Sequence, residues 1–144
     1  MKTFGYSTLK GIQDSVRLGL VRKQSEGNLS IYTYTQKCEV TDGWDSITKR
    51  CRGLVLDSNG NIIVNCIPKF FNIGQKHSAE LTLESDNISI TEKNDGYLIQ
   101  ITNNELYGLV ITSKGSFSSK MALCAKEMVY LTKTNSKRIG PIYV

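Results

Sequence analysis

Two apolar arms around an Asn-Gly turn constrain this chain most. Gly53-Leu54-Val55-Leu56-Asp57 and Asn61-Ile62-Ile63-Val64 flank Ser58-Asn59-Gly60. Asn-Gly supplies the positive φ values that a tight turn demands, so the arms are predicted to pair antiparallel. Both arms are continuously apolar rather than alternating, which predicts a sheet covered on both faces. Whatever the rest of the chain does, it must supply those two covers.

The flanking segments offer them. Leu9, Ile12, Val16 and Leu20 fall at helical spacing over Thr8 to Leu20, with Ser7 or Thr8 available as a cap. Ser25-Glu26-Gly27-Asn28 reads as a turn, and Leu29 to Thr35 alternates like a strand. Thr41 to Asp45 reads as a loop. Ile88-Ser89-Ile90 is a further strand. Leu98 to Ile101 and Leu106 to Ile111 form a second hairpin about Asn103-Asn104. A helix is predicted from near Ser118, with Met121, Cys124, Ala125, Met128 and Val129 on one apolar face. Helix, antiparallel hairpins, helix is an α+β order, with antiparallel sheets and flanking helices rather than a doubly wound parallel sheet.

Composition narrows the function classes. The 144 residues suit one domain with a hydrophobic core, and 40% hydrophobic with 22% charged residues is ordinary for a folded soluble protein. No apolar run approaches the roughly 18 residues of a membrane span. Met1-Lys2-Thr3-Phe4-Gly5-Tyr6 has no apolar core behind its lysine, so no signal peptide is expected, and a cytoplasmic location follows (a host cytoplasm if the source is viral). Cys38, Cys51, Cys66 and Cys124 contain no CxxC pair and read as packed or idle thiols in a reducing compartment. His77 reads as a surface residue rather than a ligand. The net charge of +5 favours a polyanionic partner such as nucleic acid or nucleotide.

Neither GxxxxGK[ST] nor GxGxxG is present, so phosphates must be held by side-chain cations. Arg52, Lys69, Lys93 and Lys114 each sit where a strand meets a turn. Three precede a glycine or an aromatic residue: Arg52-Gly53, Lys69-Phe70 and Lys114-Gly115. Glycine there allows close approach of a ligand to the backbone. Four cations so placed are predicted to surround a triphosphate. Lys93 lies in Glu92-Lys93-Asn94-Asp95-Gly96, a tight turn between strands, and is the candidate nucleophile. A free lysine amine has a pKa of about 10.4, so only about one in a thousand is neutral at pH 7.4. Making about a tenth neutral needs a fall of roughly two, which burial and neighbouring cations together supply. Asp95 is left for a metal, for the nucleotide sugar, or for fixing the turn that aims the lysine.

Lys93-Asn94-Asp95-Gly96 resembles the KxDG signature of the covalent nucleotidyltransferases, the superfamily of ATP-dependent ligases and mRNA capping enzymes. Cys51 to Asp57, Pro68-Lys69-Phe70-Phe71-Asn72 and Thr112-Ser113-Lys114-Gly115-Ser116 resemble the same-order segments of the phage-type ATP-dependent RNA ligases, the tRNA-repair ligases of T-even phages and their relatives. Tyr32-Thr33-Tyr34 resembles that family's aromatic strand. The resemblance covers roughly residues 29 to 128. It implies an adenylyltransferase (ATP-grasp-like ligase) domain in which Lys93 attacks the α-phosphate of ATP and carries AMP as a phosphoramide. AMP would then pass to the 5′-phosphate of an RNA end, in tRNA or another structured RNA, for sealing. By the same resemblance Arg52, Lys69, Phe70, Glu92, Asp95, Gly96 and Lys114 would bind the nucleotide, and Mg2+ would accompany ATP.

Two departures from the family pattern stand out. Tyr97 occupies the position after the signature glycine, where these ligases usually carry serine. The later motifs of the family, which would supply metal ligands, should follow Val144. Residues 1–144 are therefore expected to form a single, incomplete domain whose partners include RNA, ATP and the remaining C-terminal portion. The competing expectations are an inactive RNA- or nucleotide-binding remnant and a related DNA ligase or capping-type enzyme.

Overall fold

The structure, a computed structural model, describes residues 3–79, Glu92 and residues 95–135, apart from the side chains of 133–135. The predicted strand at Ile88 to Ile90 lies outside the described residues, as does Lys93. The element order is α1 (Tyr6–Arg17), β1 (Val21–Glu26), β2 (Leu29–Tyr34), α2 (Gln36–Val40), α3 (Ser46–Arg50), β3 (Arg52–Asp57), β4 (Ile62–Val64), β5 (Ile99–Asn104), β6 (Gly108–Ser113) and α4 (Lys120–Asn135). β1 to β4 form an antiparallel meander, and β5 pairs with β6 in a separate antiparallel hairpin. The α+β, antiparallel class read from the sequence is the observed one.

β3 is the spine, buried over all but its first residue. Side-chain alternation sends its residues to two different cores. Leu54 and Leu56 join Ile12 and Val21 on one face, with Leu9, Val16 and Ile47 packed around them from α1 and α3. Val55 joins Ile31, Ile63, Val64, Val110 and Phe117 on the other. The continuous apolar pattern of the arms thus has the physical cause expected of it, a sheet with cover on both sides. α4 closes the far side of the β5–β6 hairpin.

Several boundaries differ from the sequence expectation. α1 begins at Tyr6 on an extended Gly5, without a side-chain cap from Ser7 or Thr8. The stretch after β2 is not a plain loop. Thr35 caps α2 by accepting from Cys38 N, and Asp45 caps α3 in a reciprocal box with Thr48. The second hairpin turns at Glu105 to Tyr107 rather than at Asn103-Asn104, because the Asn104 side chain accepts from the backbone N–H groups of Leu106 and Tyr107. That Asx geometry competes well with a two-residue turn. On α4, Ala122 and Val129 are buried, whereas Cys124 and Met128 of the predicted face are exposed. All four cysteines are free, and burial pushes the Cys51 thiol up to about 12.

The turn between β3 and β4 is closed by Asp57. Its carboxylate accepts from Asn59 N at 2.9 Å, Asn61 N at 2.8 Å and Asn61 Nδ2 at 2.8 Å. Desolvation pushes this carboxyl upward, but the bonds from Asn61 and Asn59 outweigh it and hold it below its ordinary 3.8. The folded state therefore binds this proton less readily than the unfolded chain. The resulting stabilisation is complete above the unfolded value and is lost as pH falls through the lower folded value. We expect Asp57→Ala to cost about 1–3 kcal/mol in urea unfolding at pH 7. The variant and the parent should converge in stability below the carboxylate range. An equal difference at all pH values would contradict the assignment.

Candidate functional site

Arg52 follows directly on α3. Cys51, fully buried, anchors the end of that helix, and its carbonyl accepts from Tyr34 N at 2.6 Å. A bulge in the β2–β3 ladder between Tyr32 and Thr33 sets Arg52 opposite Thr33. The guanidinium donates to Ile67 O at 3.4 Å and lies over the Phe70 ring, 5.2 Å from its centroid. That ring is 57% exposed, so Phe70 supports the arginine from outside the core.

Gly53, the next residue, has φ +94°, which other residues adopt only under strain. A Cβ there would sit 2.3 Å from Gln100 Nε2 and 3.0 Å from Lys114 O. Gln100 is buried in β5 and donates to Gly53 O at 2.9 Å and to Thr112 Oγ1 at 3.2 Å. The glycine beside Arg52 is thus needed by the protein's own packing rather than for the approach of a ligand. It allows β3 and the β5–β6 hairpin to come close enough to set Arg52 beside Lys114.

The product of that contact is a groove of about 600 Å³ lined by Arg52, Gly96, Tyr97, Ser113, Lys114 and Ser119, among others. Gly96 has φ +156° and open space where a Cβ would be. α4 starts at the groove: Lys120 lines it, and Ser119 Oγ accepts from Ala122 N at 3.2 Å. The helix N-terminus adds partial positive charge at a wall already carrying Arg52, Lys114 and Lys120. Among the described residues no carboxylate lines this groove. It is built to receive an anion.

The four expected cations do not all meet there. Lys69 points elsewhere: its backbone N–H donates to Lys49 O at 2.8 Å, and its amine lies over Phe71 and Trp44, 5.1 and 5.8 Å from their centroids. It lines a second hollow with Glu39, Asp42 and His77. Asp42 is held below its ordinary value by hydrogen bonds from Lys76 and His77, so this hollow carries its own negative charge. His77 is half-buried and packs on Phe71, 5.2 Å between centroids. Lys93 lies outside the described residues, and Glu92 and Asp95 are exposed. Among the described residues no group of three or more His, Cys, Asp or Glu side chains comes together as a metal site. No helix among them is long and apolar enough to cross a membrane.

Sequence reasoning passed over Gln100, Ser119 and Lys120. Ser119 carried a readable signal, a serine just before an apolar helical run. Gln100, a polar residue at the inward position of a strand, carried only its break in the apolar pattern.

The RNA ligase family model matches residues 50–139, well over half of the chain and the whole span of the groove. The chain belongs to the phage-type RNA ligase family. No curated protein matches it. Within this RNA ligase chain the match takes in Arg52, Lys69, Lys93 and Lys114 together with the Gln100 clamp.

Gly53→Ala should therefore disrupt the ligase chain well beyond an ordinary surface change. Backbone strain and the collision with Gln100 are expected to cost at least about 2 kcal/mol. Urea unfolding measures the loss, and a change within about 0.5 kcal/mol of the parent would show that the strand and hairpin are not clamped at this point.

Proposed function

We propose that the chain forms the nucleotide-binding front of an ATP-dependent RNA ligase, with Lys93 as the residue that accepts AMP. One observation carries this reading. Arg52, Gly96 and Lys114 come from three separate segments of an RNA ligase family member, yet line one groove that carries no carboxylate among the described residues. The lone pair of the Lys93 amine attacks the α-phosphorus of ATP. A P–N bond forms, the bond to the β-phosphate oxygen breaks, pyrophosphate leaves and the amine loses its proton to solvent. An RNA 5′-phosphate oxygen then displaces the lysine from phosphorus. A 3′-hydroxyl finally attacks that 5′-phosphate, releasing AMP and sealing the strand.

The chain's own groups serve this chemistry in two ways. Arg52 and Lys114 hold the phosphates by charge-assisted hydrogen bonds, which shorten and strengthen as charge develops on the leaving group. The same two cations disfavour a protonated lysine nearby and so raise its neutral fraction. Phe70 and Gly96 border the nucleotide, with Glu92 and Asp95 at the turn that carries the lysine. Lys69 is the further nucleotide-binding cation of this reading, its amine lying over Trp44 and Phe71 in the neighbouring hollow. Magnesium would neutralise the triphosphate of ATP, and the described residues offer no ligand set for it, so no step is assigned to it. The 144 residues act as one domain, RNA and ATP are the partners, and the location is cytoplasmic.

A second reading, an RNA-binding relative without nucleotidyl transfer, is favoured by Tyr97. It stands at the position of the usual serine, is 77% exposed and lines the groove. Incubation with labelled ATP separates the two. The first reading predicts a covalent AMP adduct that Lys93→Ala abolishes and that Arg52→Ala and Lys114→Ala each slow by about 10²-fold. Salt-dependent RNA binding with no adduct would support the second.

A further inference from the structure

Lys114 also borders a second groove, of about 500 Å³, lined by Arg22, Thr33, Tyr34, Gln36, Lys114 and Gly115, among others. We propose that this groove binds a phosphate of the RNA strand. The assignment rests on the RNA-ligase reading above for its choice of RNA; the case for an anion stands on the groove alone.

The groove is built by the sheet register. β1 pairs with β2 so that Arg22 lies opposite Thr33. The turn after β6 then crosses this face. Gly115 comes so close that a Cβ would lie 2.8 Å from Arg22 Nη2 and 2.9 Å from Thr33 Cγ2. Arg22 Nη2 donates to Gly115 O at 3.1 Å, which aims the guanidinium along the groove and occupies only one of its five N–H donors. Opposite, the Lys114 amine sits 4.0 Å from the centroid of the Tyr34 ring, fixed in place without losing its charge.

Three facts point to an anion. Among the described residues no carboxylate lines the groove. Neither Arg22 nor Lys114 has an ion-pair partner among the described residues. Thr33 is 6% exposed, and its Oγ1 is buried without a hydrogen-bond partner among the described residues. A buried hydroxyl ordinarily has one. A tetrahedral phosphate would accept from the arginine fork, from the lysine and from that hydroxyl together.

A strand fits better than a free phosphate because Lys114 belongs to both grooves. Phosphates on either side of one lysine are what a backbone passing from Arg22 toward Arg52 presents. Tyr34, with one face on Lys114 and its edge on Trp44 at 4.9 Å between centroids, is held rigidly as the floor of the crossing.

The test is fluorescence anisotropy of a labelled single-stranded RNA oligonucleotide titrated with the full chain across a salt series. Arg22→Ala should reduce the slope of log affinity against log salt by about 0.7, the contribution of one single-strand phosphate, and Arg22→Lys should restore it. Lys10→Ala removes the same charge from the exposed face of α1 and should leave the slope at the parent value. Thr33→Val should weaken binding without altering the slope. Equal slopes for Arg22→Ala and the parent, or an equal fall for Lys10→Ala, would overturn the proposal. ATP binding distinguishes the source of the phosphate. An ATP affinity that falls in Arg22→Ala while the RNA slope stays unchanged would overturn the RNA assignment. None of these readings needs adduct formation, so they hold or fail independently of the lysine chemistry.

Discussion

A buried hydrogen bond from Gln100 Nε2 to the carbonyl of Gly53 sets how the two sheets of this ligase chain meet, beside the core in which Val55 packs with Val110 and Phe117. β3 carries Arg52 and both cores, whereas the β5–β6 hairpin leads into Lys114. They belong to separate sheets. Bringing two backbones together at that point requires a residue without a Cβ and with positive φ, and a polar side chain to satisfy the exposed carbonyl. Gly53 and Gln100 supply these. Because the contact is buried, leaving either group unpaired costs more than the bond itself is worth. The site is thus assembled across two sheets joined by a buried polar contact.

The distribution of charge follows from the same geometry. Among the described residues the two grooves that share Lys114 contain no carboxylate, while the hollow of Lys69 contains Glu39 and Asp42. Cations near acids are neutralised locally. Arg52, Lys114 and Arg22 have no ion-pair partner among the described residues, and their supports are instead rings and carbonyls: Phe70 under Arg52, Tyr34 under Lys114, Gly115 O under Arg22. Such partners orient a cation and leave its charge for a ligand. The arrangement is that of a positively charged surface, in keeping with membership of the RNA ligase family.

What was legible in the sequence was what local chemistry decides. The Asn-Gly hairpin, the apolar arms of β3 and β4, and the α+β order each follow from near-neighbour preferences. The short helices α2 and α3 were less visible, since five residues carry too little apolar periodicity and only the caps at Thr35 and Asp45 announce them. The shifted turn at Glu105 to Tyr107 reflects a single Asn104 side chain competing with a two-residue turn. At the site, Arg52 and Lys114 were recognisable because each abuts a strand end, and the groove brings them together. Lys69 shared that local signature, but its partners, Trp44 and Phe71, are set by tertiary packing that no spacing rule encodes. Gly53 was read as space for a ligand. Only the distant Gln100, 47 residues on, reveals that the space is already filled.

The groove of Arg52 and Lys114 is proposed to serve a lysine that carries AMP. Tandem mass spectrometry of the chain after incubation with ATP and magnesium tests it most directly. The account predicts AMP on the peptide containing Lys93, released by acid as a phosphoramide should be. An AMP adduct on any other lysine, or a chain unchanged in mass, would contradict it.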